Sequence, residues 1–420
     1  MFDLCFNFIK TIKQNLFPFY KNKELKFIFK TLQQGSVNNA VVARFVGGCV
    51  RKYLTNDSID DIDVATTLSA EEIKEKFINT NFKIIDTGIK HGTVTLLTSE
   101  FKLELTTLRK DIETDGRHAD VEYINDWQLD SERRDFTINA IYLDINGKIF
   151  DPQNGTNDLK TNNVKFIGDP QKRIEEDYLR IIRFIRFKIM YNSKVETTTS
   201  QAIKLNLNGI KKISKERILL ELFKILNLKN FINLCEDEYL KELFSLIFPE
   251  FDNLEKLESL KKICSHSQLS KELLLATLLI GEKNNHEYFA HKYNISNDIK
   301  ENLNLLAKDF KLLKENKDFF NKDLEKNFYL SNKKHLINLN TLNFINNSKY
   351  KIKDFSVTLK KILQSKIHFF PIDGKYLMQK GMKEGSALGR VLKIIEDEWI
   401  ANGFKISKSR VEEIIHLNLN

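Results

Sequence analysis

The stretch VVARFVGGCVRKYLTNDSIDDIDVATT, residues 41–67, is where the reading of the fold starts. Ala40–Val46 is an apolar, β-branched run that reads as a strand, and Gly47-Gly48 ends it where a helix is expected to begin. Two glycines let backbone approach a phosphate closely, and a helix start offers unpaired N–H groups and a positive dipole end. Arg51 lies one turn into that helix, within reach of the same anion. Asp61 and Asp63 follow on a second predicted strand, Ile59–Ala65. Two positions apart on a strand, their carboxylates share one side. Carboxylates that close repel one another unless a cation sits between them. Hard Mg2+ suits such a site, because it takes oxygen ligands and binds through one or two carboxylates plus substrate phosphates.

Outward from this stretch, Thr93–Thr98, Leu103–Leu108 and Ile138–Leu143 also read as strands, with a short helix at Ala70–Phe77. Glu104 sits in an alternating strand, FKLELTTLR. If that strand lies beside Asp61 and Asp63, Glu104 completes a three-carboxylate cluster, the set needed for two metals. From about residue 172 the pattern is helical to the end, with apolar helical spacing over Ile174–Ile189 and Lys215–Leu228. Glycines recur near the C-terminus at Gly374, Gly381, Gly385 and Gly389. The expected fold class is α+β: a mixed-sheet head followed by an all-helical neck, body and tail. The expected division is an N-terminal amphipathic helix (1–24), head (25–165), neck (166–228), body (229–340) and tail (341–420).

The chain has 420 residues, too many for one compact core, and 42% of them are hydrophobic, which excludes a disordered protein. A net charge of +9 favours polyanionic partners. Cys5, Cys49, Cys235 and Cys264 form no CxxC pair, which argues against a zinc site or disulfide framework and fits a reducing, cytoplasmic compartment. In MFDLCFNFIKTIKQNLFPFYK, Asp3 precedes any positive side chain, and Lys10 and Lys13 interrupt the apolar run, unlike a signal peptide. No stretch approaches the roughly 20 apolar residues a membrane span needs.

Further along stand RRDFTINAIYLD (133–144), IFDPQNGTNDL (149–159) and EEDYLRIIRFIRF (175–187). With Gly-Gly-x-Val-Arg, Asp-x-Asp and LELTTLRKDIETDGRH (103–118), they resemble, in order from Phe45 to Leu226, the class II CCA-adding tRNA nucleotidyltransferase and poly(A) polymerase family. That family belongs to the DNA polymerase β-like superfamily. The resemblance implies metal-binding Asp61 and Asp63, assisted by Glu104, and a triphosphate held at Gly47, Gly48 and Arg51. Arg134 and Asp135 would contact the ribose, Asn139 would belong to the nucleotide site, and Asp177 and Arg180 would read the base. Arg183 and Arg186 would continue a basic stripe for phosphates, whereas Arg217 and Glu221 would brace the neck. Asp177 and Arg180 are i and i+3, so a helix would present both on one side. C and A each carry an exocyclic amine beside a ring-nitrogen acceptor. A carboxylate accepts from the amine and a guanidinium donates to the ring nitrogen, so U and G are refused.

The implied partners are CTP, ATP and the tRNA 3′ end. The chain departs from the family pattern at Lys52, where Asp is usual, at Tyr178, where Pro is frequent, and at Thr55-Asn56, in place of a glycine turn. RKDIETDGRH (109–118) looks like the intact flexible loop that CC-only members lack. Residues 371–400 look like the tail of tRNA-repairing members rather than the basic extension of poly(A) polymerases. Residues 230–340 show no His-Asp phosphohydrolase signature. Poly(A) synthesis, partial CC or A addition, and a catalytically silent RNA-binding protein stand as the competing readings.

Overall fold

The computed structural model describes residues 18–36, 40–88, 92–114, 119–251, 254–263, 269–281, 283 and 285–418, which fall into two compact units, Met1–Phe248 and Pro249–Asn420. The expected helix at 1–24 lies largely outside the described residues. Described chain in that region begins with a 3-10 turn, Phe19–Lys21, and helix α1, Lys23–Gln33.

In the first unit, strands β1 (Ala43–Val46), β2 (Asp61–Thr66), β3 (Lys83–Gly88), β4 (Thr93–Leu97), β5 (Lys102–Thr107), β8 (Tyr142–Leu143) and β9 (Ile149–Phe150) form one sheet in the order β3-β4-β5-β2-β1-β8-β9. The β2–β5 pairing is parallel and the others are antiparallel, so the sheet is mixed. The period of two decides its faces. Ile62, Val64, Leu103 and Leu105 are fully buried on one side. There α1 supplies Leu25, Ile28 and Phe29, with Phe29 against Phe45 at 4.4 Å, and helix α3 (Ala70–Phe77) supplies Ile73 and Phe77. A capping box between Ser69 and Glu72 starts α3 where the sequence predicts it. The opposite side of the same strands carries Asp61, Asp63 and Glu104. Residues 109–123 contribute two more strands, β6 (Arg109–Thr114) and β7 (Ala119–Tyr123), paired antiparallel as a separate ladder. Residues 115–118 lie outside the described residues.

Helices follow: α4 (Trp127–Glu132), α5 (Gly155–Lys160), α6 (Pro170–Glu176), α7 (Leu179–Tyr191), α8 (Thr197–Asn206) and α9 (Lys215–Leu226). Phe136, Phe166, Phe184 and Phe187 form one aromatic cluster that fixes the 133–140 segment on α7, with Phe166 and Phe184 stacked at 5.9 Å. Gly155 sits where a Cβ would come 2.1 Å from the Thr137 carbonyl oxygen, so α5 starts against backbone and admits no side chain there.

Two expected elements differ. Ile138–Leu143 is not one strand: Thr137–Asn139 is a 3-10 turn and only Tyr142–Leu143 pairs in the sheet. Asn139 is turned inward by its bond to Asp135, which overrides the strand propensity of the segment. Ile174–Ile189 is not one helix. Asp177 is extended, at φ −155° and ψ 103°, and its carboxylate accepts from the Leu179 N–H, ending α6 and starting α7. Tyr178, the residue in place of the frequent proline, lies on Gly209, where a Cβ would meet its ring at 2.1 Å.

The second unit is helical. Lys333–Asn346 packs against Ile352–Gln364, Asn297–Glu315 and Lys256–Lys261. A separate core of Leu377, Met382, Val391, Ile395, Val411, Ile414 and Ile415 joins the last three helices. No described helix is long and apolar enough to cross a membrane.

Candidate active site

The chain leaves β1 through Gly47, at φ +70°, and helix α2 (Gly48–Leu54) starts at once. That left-handed conformation is one only glycine adopts without strain, and a Cβ there would lie 3.5 Å from Asp63 Oδ2. The glycine turn therefore lies directly on the acid strand. Burial first, then the Glu104 and Asp61 charges, push the Asp63 carboxyl above its usual range, against Arg134 and Arg51. It is a carboxylate short of positive charge. With Asp61 beside it and only oxygen donors at hand, the pair fits a hard divalent cation. Glu104 is in register with Asp63 on the parallel neighbour, as the cluster requires, but its carboxylate is held by Lys102 at 2.7 Å. Among the described residues, no three His, Cys, Asp or Glu side chains stand together as a ready cation cage.

The segment 133–139 is tied down by a residue the sequence did not single out. Asp130 is fully buried, bonds Arg133 at 2.7 Å and Arg134 at 3.0 Å, and accepts from the Tyr142 hydroxyl at 2.7 Å. Burial opposes its charge, but the two guanidiniums and the hydroxyl outweigh burial and hold its pKa down to about 2. Asp135 is held the same way: against burial, Arg183 at 2.6 Å and the Asn139 amide at 2.8 Å bring it to about 2. Asn139 in turn accepts from Arg51, whose guanidinium also lies 4.7 Å from the centre of the Phe187 ring. Gly-Gly helix, Arg-Arg-Asp segment and α7 are thus joined in one buried polar chain.

At the α6–α7 break, Asp177 bonds Arg217 of α9 at 2.7 Å, and Arg180 bonds Glu176 at 2.5 Å and the Arg173 carbonyl at 2.6 Å. Asp177 and Arg180 come together, though through a helix start rather than along one helix. Arg183 pairs with Asp135, and Arg186 lies 2.9 Å from Glu221 without hydrogen-bond alignment. Burial, with Arg183 and Arg51 close by, lowers the Arg186 pKa to about 10 despite Glu221. The expected basic stripe exists, and Arg186 is its least neutralised member.

Gly47, Gly48, Arg51, Asp61, Asp63, Arg134, Asp135, Asn139, Asp177, Arg180, Arg183 and Arg186 all line one cleft of about 770 Å³. Residues 139 positions apart in the chain converge there. Sequence reasoning missed Asp130, Arg173 and Glu176, whose only signal was their nearness to the arginines they hold. It placed Arg217 and Glu221 as braces, and both are ion-paired to site residues. Of the departures, Asn56 takes the left-handed conformation, φ +59°, that the missing glycine would supply, and Asn tolerates it better than most residues. Lys52 pairs with Asp60 at 2.8 Å.

Residues 43–165 match the family described as Poly A polymerase head domain, and residues 193–254 match Probable RNA and SrmB- binding site of polymerase A. The chain is 33% identical to the human mitochondrial CCA tRNA nucleotidyltransferase 1, covering 95% of this chain and 93% of that one. It is 32% identical to a CCA-adding enzyme of Lactobacillus helveticus, over 89% and 92% of the two chains. In fold it resembles the Bacillus stearothermophilus CCA-adding enzyme solved in complex with CTP, with a TM-score of 0.68 at 23% identity over 93% and 95%. It also resembles the Thermotoga maritima enzyme complexed with tRNA_CCA, with a TM-score of 0.61 at 22% identity over 95% and 96%. A cleft of this build in a chain so related makes the protein a nucleotidyltransferase, and it belongs to the CCA-adding tRNA nucleotidyltransferase family, whose head domain is that of poly(A) polymerases.

Proposed function

We propose that this enzyme adds C, C and A to the 3′ end of tRNA from CTP and ATP, releasing pyrophosphate and using no nucleic-acid template. The observation that carries the reading is that Asp177 and Arg180 line the same cleft as Asp61 and Asp63. A carboxylate and a guanidinium in the cleft that also carries the acid pair supply what a template strand would supply. Arg217 and Glu176 hold them in place, so their donor and acceptor pattern is fixed before the base arrives.

Asp61 and Asp63 would hold the divalent cation, for which their oxygen donors suit Mg2+, with Glu104 assisting from the next strand. When bound, it neutralises the triphosphate and eases ionisation of the attacking hydroxyl. Gly47 and Gly48 let the triphosphate approach backbone, and Arg51 and Arg186 face its charge. Asp135, with Arg134 beside it, contacts the ribose. The RNA 3′ oxygen attacks the α-phosphorus, the bond to the β-phosphate oxygen breaks, and the leaving pyrophosphate takes the electron pair. The pairing of β6 with β7 around 115–118 supports a loop of full length, hence all three additions rather than CC alone. The buried Cys49 thiol and the cysteine spacing support a reducing, cytoplasmic site of action.

The test is incorporation by purified protein with Mg2+ on tRNA transcripts ending before CCA, after C and after CC, with CTP and ATP separately and together. Addition that stops at CCA is expected. A long A tail added without regard to the tRNA fold would replace the proposal with poly(A) synthesis, and metal-independent RNA binding with no incorporation would reduce the chain to a binding protein.

A further inference from the structure

The reading of the site leaves Lys52 without a task, although it lines the cleft. It lies four residues after Gly48 on α2, one turn along the same helix face, and both residues line the cleft. Its neighbour Arg51 is buried, bonded to Asn139 and packed over Phe187. Lys52 is not. Its ammonium bonds Asp60 at 2.8 Å, with 37% of the lysine side chain and 70% of the aspartate exposed. The other carboxylates that pair with cleft cations are far less solvated, from 0% at Asp130 to 27% at Glu176. An exposed pair of this kind contributes little net stability, so its partner can be exchanged at little cost.

The position of Lys52 is fixed more firmly than its partner. The Asp57 N–H bonds the Lys52 carbonyl at 2.8 Å, and the Thr55 hydroxyl bonds the Asp57 carboxylate at 2.7 Å. This turn, made possible by the left-handed Asn56, holds the end of α2 beside the start of β2. A long, flexible ammonium on a rigid base, beside the acid pair and at the edge of the cleft, suits a mobile phosphate contact.

We propose that Lys52 is a further substrate-binding residue of this enzyme, exchanging Asp60 for a phosphate when substrate enters. The inference rests on the proposed function for the identity of that substrate. The chemistry, an ammonium on a phosphate oxygen, is the same for the nucleoside triphosphate and for the RNA backbone near the 3′ end.

Equilibrium binding separates these sources and does not depend on turnover. Dissociation constants are measured for ATP with Mg2+ and for a tRNA transcript, in wild type, Lys52→Met, Lys52→Arg and Asp60→Asn. Loss of one charge-assisted contact, offset by the freed aspartate, is expected to weaken binding about threefold to tenfold in Lys52→Met, with Lys52→Arg close to wild type. Weakening for ATP alone assigns the triphosphate, and weakening for tRNA alone, with a shallower salt dependence, assigns the backbone. Asp60→Asn is expected to bind as well as wild type or up to a few times tighter, because the competitor is gone. Unchanged affinity for both ligands in Lys52→Met would overturn the proposal. So would Asp60→Asn weakening binding as much as Lys52→Met, which would make the pair itself the structural element. Turnover measured in parallel judges the proposed function separately: normal affinities without incorporation would count against that function and leave the Lys52 result standing.

Discussion

Replacing Asp130 with Asn tests how far a buried charge beneath the cleft arginines stabilises the fold. Asp130 is fully buried beneath Arg133, Arg134 and Tyr142, and its pKa falls from 3.8 to about 2. At about 1.4 kcal/mol per pH unit, that fall corresponds to roughly 2 kcal/mol of stability at neutral pH. Asn keeps the shape and one acceptor oxygen but leaves two arginines without a countercharge. The expected loss at pH 7 is therefore about 2–3 kcal/mol, or about 5–10 °C in the melting transition of a unit this size. The sign follows from the depressed pKa. The wild-type contribution is complete above about 3.8 and disappears as pH falls through about 2. Thermal melts of both proteins from pH 7 to pH 2 should show a gap that closes at the acid end. A gap of the same size at every pH would mean that Asn perturbs packing rather than charge, and no gap at pH 7 would refute the electrostatic account altogether.

Three further outcomes are expected. Asp63→Asn should abolish incorporation yet raise the melting temperature of the metal-free protein at pH 7. Burial, then Glu104 and Asp61, raise the Asp63 pKa, so its charge weakens the fold as pH rises through that value; an unchanged or lower melting temperature would contradict this. Arg180→Ala should cost about 2–3 kcal/mol in selectivity for CTP and ATP over UTP and GTP, read as ratios of kcat/KM; unchanged ratios would sink the protein-borne template. Gly155→Ala should destabilise the first unit by about 3 kcal/mol or more, because the new methyl would meet backbone at 2.1 Å; a wild-type urea midpoint would show that the turn can move.

What was legible in the sequence was local. The alternation that puts Asp61 and Asp63 on one side of a strand is a property of six residues, and so is the glycine turn before α2. The pairing of β2 with β5 was only conditional, since no local pattern announces that two strands forty residues apart will lie parallel in register. Glu104 illustrates the limit. Its strand could be read, but its capture by Lys102 two positions away depends on side-chain direction at a half-exposed surface. Strand β3 went unread because KIIDTG is mostly half exposed and its burial does not alternate cleanly. The break at Asp177 was hidden by an apolar periodicity that continues across it. A helix and a capped helix start place nearly the same residues toward the core, and only the Leu179 N–H and Arg217 contacts tell them apart.

The charges of the cleft explain how so basic a site can exist before its polyanionic substrate arrives. Arg134, Arg180, Arg183 and Arg217 each donate an aligned hydrogen bond to a carboxylate within 3.0 Å, whereas Arg186 lies 2.9 Å from Glu221 without one, and two of the four carboxylates, Asp130 and Asp135, are held at about 2 by the same contacts. These groups shape the site and gain little from a phosphate, since their charge is already answered. The groups with charge left over are of both signs. Burial pushes Arg186 down to about 10, and burial, with Glu104 and Asp61 close by, pushes Asp63 up. A triphosphate alone would relieve Arg186 and aggravate Asp63. A divalent cation alone would do the reverse. Bound together they relieve both, so each must tighten the other, and the coupling is reciprocal by thermodynamic necessity. Measured affinity for ATP should therefore rise with Mg2+ in wild type and lose most of that dependence when Asp61 and Asp63 are both alanine.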